Sequence, residues 1–121
     1  MRLLRFALKL DAVVSGLAGL GLVVAPGILG REFGVPAAAL VVTGVVFVGW
    51  GIALWLLVSR RAVTRRLAWT VITANAVWTV ASVALAFGWT ALTAAGTAVV
   101  LAQAVAVFAF ADLEYVGLRR A

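Results

Sequence analysis

Charge is missing from most of this chain. Residues 67–111 carry no Asp, Glu, Lys or Arg over 45 consecutive positions, and residues 12–30 and 33–59 are likewise uncharged. A helix needs about 20 apolar residues to cross a hydrocarbon core of about 30 Å. As one helix, the longest run would extend about 67 Å, so it must double back. Phe87-Gly88-Trp89-Thr90 is the natural turn, because Gly88 relaxes the backbone and Trp89 suits a membrane interface. Pro26-Gly27 closes the first helix and Gly34-Val35-Pro36 opens the second. The expectation is an all-α fold in a single domain. Four transmembrane helices, near residues 4–25, 37–58, 67–87 and 91–113, would form a bundle running up-down-up-down, with the Pro26–Pro36 stretch as a loop.

Composition agrees. Apolar residues make up 66% of the 121, and charged residues 12%. A soluble domain is about 45–50% apolar and about 25% charged. A soluble chain this short could not hide so much apolar surface, so the bilayer is expected to be its solvent.

The basic residues set an orientation. Arg2, Arg5 and Lys9 precede or begin the first helix; Arg60, Arg61, Arg65 and Arg66 lie between the second and third; Arg119 and Arg120 end the chain. In a four-helix arrangement these nine fall on one side and only Arg31 on the other. The positive-inside rule then puts both termini in the cytoplasm. A net charge of +6 could also suggest nucleic acid. Basic residues confined to membrane edges instead read as topology signals and contacts with anionic headgroups, each worth about 1 kcal/mol. No nucleic-acid partner is expected, because no larger basic surface exists. Arg2, Arg5 and the apolar residues 13–24 also fit a signal peptide. Pro26 follows the one plausible cleavage point, Ala25, and disfavours cleavage, so a retained helix is expected.

The chain has no cysteine and no histidine. That excludes disulfides, thiol redox chemistry, Ser-His-Asp and Cys-His systems, and histidine-ligated haem or zinc. Its four carboxylates are Asp11, Glu32, Asp112 and Glu114, with Glu32 at the opposite membrane face. No cofactor, metal or catalytic residue is expected, and Arg31-Glu32 reads as a solvated local pair.

Asp11 falls inside the first helix. An ionised Asp at mid-helix costs about 2.5–3.5 kcal/mol on insertion scales, less near an edge. Arg2, Arg5 and Lys9 share one helical face, while Asp11 points nearly opposite, beside Ala7, Ser15 and Ala18. In the second helix Thr43, Phe47, Trp50 and Leu54 lie together. The third carries Asn75, Trp78, Thr79 and Ser82 on one face. The fourth carries Gln103, with Val107, Phe110 and Glu114 near the same face. Asn75 and Gln103 are expected at similar heights, placed to bond each other. Trp69, Trp89 and Trp55 suit the interfacial belt, whereas Trp50 and Trp78 fall near mid-span.

Two accounts follow for these side chains. In the first they are interhelical glue, each pair worth about 0.6 kcal/mol. In the second, Asp11, Thr43, Trp50, Asn75, Trp78, Thr79 and Gln103 form a ligand-binding cavity. Aromatic faces with one carboxylate would suit a lipophilic cation. Small-residue pairs, Ala12/Gly16 and Ser15/Gly19, with Gly44, Gly49 and Gly51 in the second helix, license close packing within the bundle or between subunits.

Leu10-Asp11-Ala12-Val13-Val14-Ser15-Gly16, Ala25-Pro26-Gly27-Ile28-Leu29 and Phe33-Gly34-Val35-Pro36 together resemble small four-helix bacterial membrane proteins, loosely DoxX-like. The Ala, Val and Trp richness resembles a high-GC actinobacterial chain. The resemblance implies a bacterial cytoplasmic (inner) membrane location and no established activity, and it carries over no functional residue. Small multidrug-resistance transporters offer only an analogy: they place a Glu in their first helix, where Asp11 stands here.

The leading functional expectation is a non-enzymatic interaction or accessory subunit, with a homo-oligomer or another membrane protein as partner. The alternative is a small transporter or binder of a lipophilic ligand that uses Asp11.

Overall fold

The computed structural model describes residues 2–60 and 62–120. Arg61, one of the expected surface residues, lies outside them. The elements are α1 (Arg2–Val24), α2 (Pro26–Phe33), α3 (Ala37–Arg60), α4 (Arg65–Gly88) and α5 (Ala94–Arg119). Four of these, all but α2, are long and apolar enough to cross a membrane. The chain is an all-α, multi-pass membrane protein.

Local chemistry explains the boundaries, including three that differ from expectation. The stretch expected as a loop contains α2. Ala25 leaves helical geometry at φ −135°, and Pro26 restarts the helix at its first position, where its missing N–H costs nothing. Gly34 ends α2 in the left-handed region at φ 73°, its N–H bonding to Gly30 O. The second difference lies in the turn between α4 and α5. Gly88 remains helical, and Trp89 caps α4 by donating its N–H to Leu85 O. Thr93 then starts α5, its side chain accepting from the Gly96 N–H at 3.0 Å. The third is at the far end of α5. No breaker follows Leu113, so the helix continues to Arg119, whose charge suits a helix C-terminus.

The glycines set how the helices meet. A Cβ on Gly51 of α3 would lie 2.6 Å from Ala12 O of α1, and one on Gly19 of α1 would lie 2.6 Å from Gly44 O of α3. These positions let two antiparallel backbones touch, as small residues do in bilayers where packing replaces the hydrophobic effect. The small-residue pattern is therefore used inside the bundle at Gly19, Gly44 and Gly51, while Gly49 faces open space. At Gly117, α5 meets Leu4 of α1 in the same way.

The strongest helix pairs are α1 with α3 and α4 with α5, and α1 with α5 joins the two. Going round the bundle the order is α3, α1, α5, α4. The backbones of α3 and α4 barely approach each other, although these helices are consecutive in the chain. That leaves a seam between them.

The bundle is filled near the end that holds both termini. Leu4, Leu8, Leu54, Val58, Val63, Ala68, Val71, Ile72 and Leu118 form one buried cluster there. Arg5 reaches across this end to donate to Val58 O. The opposite end is closed by backbone. Thr93 N–H donates to Phe33 O at 3.1 Å, and Thr93 Oγ1 donates to Glu32 O at 2.5 Å. Trp89 Nε1 donates to Gly34 O at 3.3 Å. Thus α2 and the α4–α5 turn clasp one another.

Candidate functional site

Asp11 lies nine residues into α1 and Asn75 ten residues into α4, which puts both about 14–15 Å along their helices, near mid-span. Asp11 is 1% exposed, Asn75 6% and Glu114 0%. Asn75 Nδ2 donates to Asp11 Oδ2 at 2.7 Å and to Glu114 Oε1 at 2.9 Å. Ser15, one turn after Asp11, donates its hydroxyl to Asp11 Oδ1 at 3.1 Å. One amide thus bridges two acids from helices 39 and 64 residues away in sequence. Glu114 Oε2 is buried and has no hydrogen-bond donor.

The expected bond between Asn75 and Gln103 does not form. Trp78 Nε1 donates to Gln103 Oε1 at 2.8 Å, and Gln103 Nε2 donates to Val100 O at 2.8 Å. The physical reason is register. Glu114 takes the Asn75 amide, and Gln103, three helical turns from Glu114 on α5, meets Trp78, one turn along α4 from Asn75.

Next to this acid cluster lies a cavity of about 170 Å³, lined from all four long helices. Its walls are Val14 and Ala18 of α1, Val46, Phe47 and Trp50 of α3, Trp78 of α4, and Val107 and Phe110 of α5. Ser15, Asn75 and Gln103 are the polar members of the lining. Phe47 and Trp78 meet edge to face across the α3–α4 seam, with ring centroids 5.1 Å apart. Where the two backbones stay apart, these rings bridge the gap. An apolar cavity of about 150 Å³ suffices for benzene, so this one has room for a single ring or a short acyl segment.

The expected site residues separate into three groups. Trp50, Asn75, Trp78 and Gln103 border the cavity together. Asp11 does not line it; its carboxylate sits behind Ser15 and Asn75, both of which do. Thr43 and Thr79 are not part of the lining. Thr43 Oγ1 donates to Ala39 O and Thr79 Oγ1 to Asn75 O, each at 2.8 Å, so both hydroxyls serve their own helices. Three contributors were not among the expected site residues. Ser15 is signalled by its i+4 spacing from Asp11. Glu114 is signalled by its eleven-residue spacing from Gln103, three helical turns on one face. Phe47 shares a face with Trp50.

Two of the basic side chains lie against aromatic rings away from the cavity. Lys9 Nζ lies 5.2 Å from the ring centroid of Trp55, and the Arg119 guanidinium lies 5.8 Å from that of Tyr115. Trp55, Trp69 and Trp89 are exposed. Among the described residues no group of three or more acidic side chains could hold a metal ion. Neither a protein-family model, nor a curated protein, nor a solved structure matches this chain.

Proposed function

We propose that this chain binds a small, largely apolar ligand in the cavity between its four long helices, in the cytoplasmic membrane of a bacterium. Both termini and the basic residues face the cytoplasm in this reading, supported by the nine-to-one distribution of positive charge between the two ends. The observation that carries the function is the construction of the cavity. Four aromatic side chains, Phe47, Trp50, Trp78 and Phe110, surround a volume whose polar floor is held by a buried acid cluster.

An accessory role would need these polar residues only to tie helices together. Trp78 and Gln103 do satisfy each other, as glue would. Ser15 and Asn75, however, tie the acids on one side and border a cavity on the other. A packed interface gains nothing from such a cavity, because its lining loses dispersion contacts. That favours binding over glue.

The test is ligand-observed saturation-transfer NMR with benzyl alcohol, using protein in zwitterionic lipid nanodiscs and empty nanodiscs as the control. Wild type should give a signal above the lipid background. Ala18→Trp, which fills the cavity, should abolish it, and Thr43→Val, outside the cavity, should keep it. Equal signals from wild type and Ala18→Trp would remove the cavity from the function.

A further inference from the structure

The cavity has a polarity, set by the acids behind it. Ser15 directs its O–H at Asp11, so the lone pairs of its oxygen are turned away from that carboxylate. Asn75 directs its N–H groups at Asp11 and Glu114, so its carbonyl oxygen is what it has left to offer the cavity. Two buried acids therefore hold two neutral dipoles with their negative ends toward the cavity. The one indole N–H known to be engaged there, that of Trp78, is taken by Gln103.

Among the described residues, no basic side chain makes a hydrogen bond to either acid. Their partners are a hydroxyl and an amide. The cations nearest in sequence are engaged elsewhere: Arg5 with Val58 O, Lys9 with Trp55 and Arg119 with Tyr115. Glu114 Oε2 remains unpartnered at 0% exposure. The walls add the faces of tryptophan and phenylalanine, whose quadrupoles attract positive charge, most strongly once water is removed.

Building on the ligand-binding reading above, we propose that the ligand is a small amphipathic amine. Its ammonium group would sit against Ser15 Oγ and the Asn75 carbonyl oxygen, and its apolar body against Phe47, Trp50 and Trp78. Asp11 and Glu114 act as positioning residues: they orient the two dipoles without lining the cavity. An anionic ligand would meet oriented negative dipoles at this floor and be rejected.

Three near-isosteric probes test this: benzylammonium, benzyl alcohol and toluene, in zwitterionic nanodiscs at neutral pH. Wild type should bind benzylammonium at least about tenfold more tightly than either neutral probe, as expected for a desolvated cation on aromatic faces. The isosteric double variant Asp11→Asn/Glu114→Gln should bring that preference below about threefold while still binding the neutral probes. Ser15→Ala, which removes one oriented dipole and keeps both acids, should lower the preference partway and serves if the double variant does not fold. Equal wild-type affinity for all three probes would overturn the amine assignment and leave the cavity reading standing. No binding of any probe would overturn both. An unchanged preference in Ser15→Ala would overturn the role given to the floor.

Discussion

The two halves of this bundle are made from similar residues and do different things with them. Toward the termini, Leu4, Leu8, Leu54, Val58, Val71, Ile72 and Leu118 interdigitate into one buried cluster. Toward the middle, residues just as apolar, Val14, Val46, Phe47, Trp50 and Val107, stand around a cavity of about 170 Å³. The difference arises from shape and backbone separation, since hydrophobicity is much the same in both. Aliphatic side chains of the first group fill the space between helices. In the second, bulky rings span the α3–α4 seam without filling what lies behind them. The acid cluster of Asp11, Asn75 and Glu114 lies between the halves. One half is organised for stability, which leaves the other free to be organised for a ligand.

The largest expected effect falls on the boundary. Asn75→Leu leaves two buried acids without their shared donor and should destabilise by about 3–5 kcal/mol, since each buried acceptor left unsatisfied costs about 1–3 kcal/mol. SDS titration of folded protein in mixed micelles would measure it, and a loss under about 1 kcal/mol would mean the cluster contributes little to stability. Next comes the contrast between halves. Leu8→Ala, in the filled half, should cost about 2–4 kcal/mol, and Val107→Ala, at the cavity wall, well under half of that. Equal costs would dissolve the distinction between the halves.

A smaller effect tests the helix contacts that frame both regions. Gly51→Leu pushes a side chain at the α1 backbone and should cost about 1–3 kcal/mol, whereas Gly49→Leu should be neutral. Both can be read from the same titrations, and a costly Gly49→Leu would point to a surface used between copies. The smallest effect is Gln103→Leu, which deprives the Trp78 indole of its acceptor. It should cost about 0.6 kcal/mol in stability. A blue shift of Trp78 fluorescence in a variant with the other tryptophans replaced by phenylalanine would show that the indole has lost its polar partner.

Much of the architecture was legible because charge has only one sensible place in such a chain. The uncharged runs located all four long helices, with small differences at α1 and α3 and larger ones around α5. Asp11 stood out for the same reason, as the lone acid within the first helix. What escaped the sequence reading was set by register. Treating Leu113 as a helix end put Gln103 opposite Asn75 and left Glu114 near the boundary. In the continuous helix to Arg119, Glu114 lies in the interior and takes Asn75, while Gln103 accepts from Trp78. The α2 helix was signalled by Pro26 at its start and Gly34 at its end, both of which also suit a loop. Helical faces grouped Thr43 and Thr79 with the cavity residues, but a threonine hydroxyl in a helix can satisfy itself on the carbonyl four residues back. The cavity itself depends on how far α3 stands from α4, which no single-helix pattern encodes.

The most direct test of the central claim is to identify what copurifies with the chain. Wild type and Ala18→Trp would be extracted in parallel from bacterial membranes and their bound small molecules measured by native mass spectrometry. The account predicts one small amphipathic species, held near one per chain by wild type and missing from Ala18→Trp. The same bulk phospholipids in the same amounts on both proteins, with no species lost on filling the cavity, would contradict it.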